Sequence, residues 1–196
     1  MSLNTYHRIR DRIRPGDCLT WVADSWTLPV GHIIQWFAPK GYHGCEHIAS
    51  VITAPQYSDR KLMIEAKGNT GVVPIAISHR LEESSGKCQV FWHPLNPEIV
   101  TFDQRIEMER WLWQQCWKKY DFSGCGAQAA SYISEDLKKL FCSELCGGSI
   151  RHGFKGKMKP TNDIQRKAVE KFEAGYALRP WDVVALPIFL PMVRIF

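Results

Sequence analysis

The chain has 196 residues, 45% of them hydrophobic and 23% charged, with a formal net charge of +5. That length suits one domain, residues 1–196, with a core of its own, and the composition is that of an ordinary soluble globular protein. Neither aromatic–basic interleaving nor zinc-finger spacing points to nucleic acid, and the longest apolar stretch, Val183 to Val193, is interrupted by two prolines and too short to span a bilayer.

The densest basic run, His7 to Arg14, reads as the solvated face of a helix. Nothing before it has the continuous apolar stretch of a secretory signal. The seven cysteines show no disulfide framework, so reduced thiols in a cytoplasm, with a phage or other intracellular origin, are the expectation. Reduced thiols leave one cysteine available as a nucleophile.

Arg14-Pro15-Gly16-Asp17 is a turn, and Cys18 to Ala23 an apolar strand. Val30 to Phe37 has helical spacing. His47 to Ala54 is a near-continuous β-branched run and predicts a buried strand. Leu62 to Ala66 and Val72 to Ile77 are two more strands, joined by a turn over residues 67–71, and Cys88 to Trp92 is a further one. Thr101 or Asp103 caps a helix running to about Lys119, with Ile106, Trp113, Cys116 and Trp117 near one face. The chain has eight tryptophans, and the cluster Trp111, Trp113 and Trp117 is expected in an aromatic core, with an apolar substrate surface as the second reading. Ser134-Glu135-Asp136 opens a polar segment. Phe141 to Cys146 looks like the first turns of another helix, whose Gly147-Gly148 would let it pack closely on a sheet. Thr161-Asn162-Asp163 caps a last helix to about Glu173, and Trp181 to Leu186 returns as a strand. Strands first and helices after is an α+β pattern.

Thiol chemistry needs a thiolate, an imidazole within reach and a group that orients the imidazole. Cys142 has the best context, because the free N–H groups and dipole at a helix start favour thiolate over thiol. Cys146, one turn on, reads as core. His47 heads a buried strand that can hold its ring rigidly in a cleft. Glu65 closes the apolar stretch Leu62-Met63-Ile64, where a carboxylate needs a partner. That partner is His47 if the two strands pair, or else a lysine or arginine.

The order of these pieces resembles the circularly permuted branch of the NlpC-type papain-like hydrolases, which includes YiiX-like proteins and is related to the lecithin:retinol acyltransferases. The matching pieces are Arg14-Pro15-Gly16-Asp17-Cys18-Leu19, Glu46-His47-Ile48-Ala49-Ser50-Val51-Ile52, and Met63-Ile64-Glu65-Ala66 with Gly71-Val72. Tyr120-Asp121, Phe141-Cys142-Ser143-Glu144-Leu145 and Lys159-Pro160-Thr161-Asn162-Asp163 complete the set, which spans about Arg14 to Pro187. The resemblance implies a small antiparallel sheet or barrel with helices on one side. It also implies catalytic Cys142, His47 and Glu65, with Tyr120 helping to hold the oxyanion and neither metal nor cofactor. The implied activity is hydrolysis of an amide or ester through an acyl-enzyme, on a peptide, a peptidoglycan fragment or a lipid acyl group. Acyl transfer, phospholipase action or plain peptide or lipid binding on the same fold are the alternatives. Glu46 departs from the family's small residue before the histidine, and the missing export signal sets a cell-wall substrate in question.

Two rival sites stand beside this one. His43, Cys45 and His47, with Cys142 and Cys146, carry zinc-ligand chemistry, although their spacing fits no common structural zinc pattern. Cys125, between Gly124 and Gly126, is a second candidate nucleophile without an implied histidine partner.

Overall fold

Five of the six apolar segments read as strands form strands, and one does not. The computed structural model describes residues 4–24, 45, 47–53, 60–68, 70–120, 139–140 and 142–196. Helix α1 (Asn4–Ile9) and one tight helical turn lead through the Pro15-Gly16 turn into β1 (Cys18–Ala23). Strands β2 (His47–Ile52), β3 (Leu62–Lys67) and β4 (Gly71–Ala76) follow, then helix α2 (Ile77–Glu83) and β5 (Cys88–His93). The second half contributes α3 (Phe102–Gln115), the short strands β6 (Lys119–Tyr120) and β7 (Lys139–Leu140), and α4 (Cys142–Gly153). It ends with α5 (Asp163–Glu173), α6 (Pro180–Val184) and β8 (Val193–Arg194).

The main sheet has six strands in the order β4-β3-β2-β1-β5-β8, and every neighbouring pair is antiparallel. It is an open sheet in a mixed α+β fold, with β4 and β8 at its edges, rather than the barrel alternative. Both faces are covered. Leu19, Trp21, Ala49, Val51 and Met63 pack with Tyr6 of α1 and Ile77 and Leu81 of α2. On the opposite face Cys18 and Ile48 pack with Met108 of α3 and Cys142, Cys146 and Ile150 of α4. Helices on one side were expected; the near-continuous apolar runs of β1 and β2 instead demand cover on both.

Helix α3 starts where a Thr101 cap predicts. Its Oγ1 accepts the Gln104 N–H at 3.3 Å while Gln104 Oε1 accepts the Thr101 N–H at 2.9 Å. It stops at Gln115 rather than Lys119, because Trp117 takes a left-handed φ of 72° and hooks its N–H onto Val72 O at 2.8 Å. The buried face of α3 is Arg105, Met108, Glu109, Leu112 and Gln115. Trp113 and Trp117 are 40% and 77% exposed, so the aromatic-core expectation fails for them. Trp111 is half-buried against α4, and a Cβ on Gly148 would lie 2.5 Å from its ring. Gly148 thus admits helix α3, not the sheet.

The expected strand Trp181–Leu186 is instead helical as α6. Pro180 fits the first helical position, and the Asp182 carboxylate accepts the Arg179 N–H at 3.1 Å. Asn162 caps α5 by accepting the Gln165 N–H at 2.9 Å. The Val30–Phe37 helix and the segment from Gly124 to Asp136 lie outside the described residues. Among the described residues no helix is long and apolar enough to cross a membrane.

The turn before β1 is held by one carboxylate. Asp17 accepts the Arg14 N–H at 3.0 Å and the Trp92 indole N–H at 2.9 Å on one oxygen, and the Leu95 N–H at 3.0 Å and Arg105 Nη1 at 2.8 Å on the other. Arg105 also donates to Pro15 O at 2.7 Å and Leu95 O at 2.8 Å. The pair is buried and fully bonded, the arrangement in which an internal ion pair is tolerated.

Candidate active site

His47 opens β2 and pairs across to Trp21 on β1. On its other side β2 pairs with β3 only over Ser50–Ile52 against Ile64–Leu62. Beyond that ladder the side chains of His47 and Glu65 meet, with Nε2 3.3 Å from Oε2. Glu65 is fully buried and the His47 side chain is 18% exposed. The ring also stands edge-on to Trp21, with centroids 5.3 Å apart.

Glu65 has a second cation. Arg80, on α2, donates Nε to its two carboxylate oxygens at 3.3 and 3.1 Å. The guanidinium lies 5.0 Å over the Trp21 ring. Its Nη1 and the Trp21 indole N–H both donate to Ser84 Oγ, each at 2.9 Å. Burial pushes the Glu65 carboxyl up, but His47 and Arg80 outweigh it and lower the pKa to about 2. The two partners weighed for Glu65 are therefore both present.

Cys142 is the first residue of α4 and is 6% exposed, in the layer that packs on the opposite sheet face. Its charge acts on the imidazole at the end of β2. Burial lowers the His47 pKa, yet the charge and hydrogen bond of Cys142, followed by those of Glu65, raise it to about 10. The first N–H groups of α4 have no partner within the helix. The neighbouring Ser143 hydroxyl is buried with no hydrogen-bond partner among the described residues.

Cys146 is fully buried in the core, as expected, and burial followed by Cys18 raises its thiol pKa well above the ordinary value. None of the six described cysteines forms a disulfide. The backbone of Tyr120 lies in β6, paired in parallel with Leu140, while its side chain lies outside the description. His43, Glu46 and Cys125 lie outside the described residues, and Cys45 is buried. Among the described residues no group of three or more His, Cys, Asp or Glu could hold a metal ion.

Trp21, Arg80 and Ser84 are absent from the sequence reading. Trp21 leaves a trace, since a buried indole N–H needs an acceptor. Arg80 leaves none, because only the packing of α2 on the sheet brings it to Glu65.

No protein-family model and no curated protein matches the chain. Among solved structures it is similar to the metalloprotein YiiX from Escherichia coli, with a TM-score of 0.58 and 14% identity over 92% of this chain and 96% of that one. The chain shares its fold with YiiX.

Proposed function

We propose that this chain is a cysteine-dependent hydrolase of amide or ester bonds, of the papain-like, permuted NlpC type, with Cys142 as nucleophile, His47 as base and Glu65 as its orienting carboxylate. One observation carries the reading: the His47 ring meets the buried Glu65 carboxylate, and Cys142, whose charge raises the His47 pKa, begins a twelve-residue helix. With Nε2 turned to Glu65, Nδ1 is the ring atom that exchanges a proton with sulfur.

In this mechanism the Cys142 thiolate attacks the substrate carbonyl carbon. Helix-start N–H groups stabilise the oxyanion, with Tyr120 as the side chain the resemblance adds. His47 then protonates the leaving amine or alcohol as the carbonyl bond to it breaks. Water, activated by the same imidazole, resolves the thioester; a second acceptor in its place would make the enzyme an acyltransferase. Peptides, peptidoglycan fragments and acyl lipids all offer the required bond, and the six free thiols among the described residues suit a cytoplasmic setting.

YiiX is described as a metalloprotein. In this chain Nε2 of His47 is directed at the Glu65 carboxylate.

The test is alkylation by iodoacetamide across pH, mapped by mass spectrometry on wild type and His47→Ala. Selective labelling of Cys142 near neutral pH, slowed in the variant, is the expected result. A Cys142 that reacts no faster than Cys88 or Cys116, or is indifferent to His47, overturns the proposal.

A further inference from the structure

A depression of about 540 Å³ lies where α3 meets the chain just after β2, at the opposite end of that strand from His47. Thr53, Ile106, Glu109, Arg110, Trp113 and Gln114 line it. The extended chain from His47 to Thr53 spans about 20 Å, so this place is separate from the thiol.

At its centre is a buried charge. Glu109 is 6% exposed, and its Oε1 accepts both the Thr53 N–H, at 2.7 Å, and the Thr53 hydroxyl. Oε2 has neither a hydrogen bond nor an ion pair among the described residues. Among those residues the polar side-chain atom both sealed and unbonded is Ser143 Oγ. Oε2, unbonded too, therefore reaches the opening that Glu109 lines. A carboxylate so far withdrawn from water is left with half of its acceptor capacity unmet.

The walls do not neutralise it. Arg110 is the cation among them, but it follows Glu109 directly and so points another way around the helix. Its Nη1 is bonded to Glu107 Oε1 instead. Trp113 stands one turn beyond Glu109, on the same side of α3, and is 40% exposed.

We propose that this depression binds a protonated primary amine carried on an alkyl stem. Glu109 supplies the counter-charge and Oε2 accepts one ammonium N–H. The Trp113 indole attracts the cation through its ring face, and Ile106 packs the stem. A guanidinium fork needs both carboxylate oxygens, and Thr53 already holds one. A quaternary ammonium has no N–H to give. The amine is a free small molecule or a lysine side chain of a peptide; the ammonium is common to both. Nothing in this site draws on Cys142 or His47, so its failure leaves the hydrolase untouched.

The test is an NMR titration of isotope-labelled full-length protein at constant ionic strength, with n-butylammonium, tetramethylammonium and n-butanol as probes. Saturable shifts of the Trp113 indole and Thr53 amide are expected with n-butylammonium, at a Kd on the order of 1–10 mM. Tetramethylammonium and n-butanol should bind about tenfold more weakly, the loss of one charge-assisted hydrogen bond. Glu109→Gln keeps an acceptor for Thr53 and should weaken n-butylammonium by about tenfold as well. Trp113→Leu removes a largely exposed ring, so it leaves the fold intact; read at the Thr53 amide, it should cost about threefold. Tighter binding of Nα-acetyl-lysine methylamide than of n-butylammonium assigns a peptide lysine as the source, and weaker binding assigns a free amine. No saturable shift, equal binding of either control probe, or unchanged binding in either variant overturns the proposal.

Discussion

Arg80 and His47 share one acceptor: Nε of the arginine and Nε2 of the histidine lie 3.1 and 3.3 Å from the same Oε2 of Glu65. The carboxylate that holds His47 is thus itself held, from a helix on the sheet face opposite the one that carries Cys142. Replacing Arg80 with Met should raise the Glu65 pKa, since one of the two cations that lower it is gone. Stability should fall by about 3 kcal/mol, the order found when one partner of a buried ion pair is removed. Urea denaturation checks this; a loss of a few tenths would place the pair among surface bridges.

The two shifted groups set a pH window. Glu65, lowered from 4.5 to about 2, contributes stability that is present above 4.5 and lost as pH falls towards 2. His47, raised from 6.5 to about 10, contributes stability that is full below 6.5 and lost as pH climbs through 10. Denaturation midpoints should therefore be highest between 4.5 and 6.5 as far as these groups decide. His47→Gln should flatten the alkaline limb and Glu65→Gln the acid limb. Unaltered limbs in both variants would assign the pH dependence to other groups.

Asp17→Asn keeps the shape of the turn but leaves Arg105 buried without its counter-charge. The expected cost is about 3–5 kcal/mol, read from chemical denaturation. Because the lost carboxylate also serves Trp92 and the Leu95 N–H, Arg105→Met in the Asp17→Asn background should add much less than it does alone.

Gly148→Ala should destabilise by about 1–3 kcal/mol, the usual cost of overpacking, since its Cβ would meet the Trp111 ring at 2.5 Å. Trp111→Leu should recover part of that loss when combined with it. A double mutant whose midpoint equals the sum of the single effects would show that the contact has relaxed elsewhere.

Much of the sheet was legible because period and polarity carry it. β1, β3 and β5 appear where apolar runs end in turns, and Thr101 and Asn162 declared their helices through side chains that cap them. The meeting of His47 with Glu65 is legible because β2 and β3 are antiparallel neighbours. What the sequence hid was long-range. Trp113 and Trp117 look like core and stand in solvent, because α3 turns Met108 and Leu112 inward and Trp117 leaves the helix. Residues 181–184 look like a strand, yet Pro180 and Asp182 start a helix locally and override the apolar run. Arg80 is one charged residue among many until α2 folds onto the sheet.

The seam between α3 and α4 has a bearing on how such chains diverge. Gly148 and Gly153 bring α4 close enough that their missing side chains are replaced in space by Trp111 and Met108. Neither member of such a couple drifts freely: a methyl gained on one helix needs atoms lost on the other. In a set of relatives, position 148 should therefore change in step with 111, a correlated pattern set by volume alone, whereas 153 should stay glycine, since its Cβ would also meet backbone atoms of Gln104 and Met108 at 2.6 and 2.8 Å.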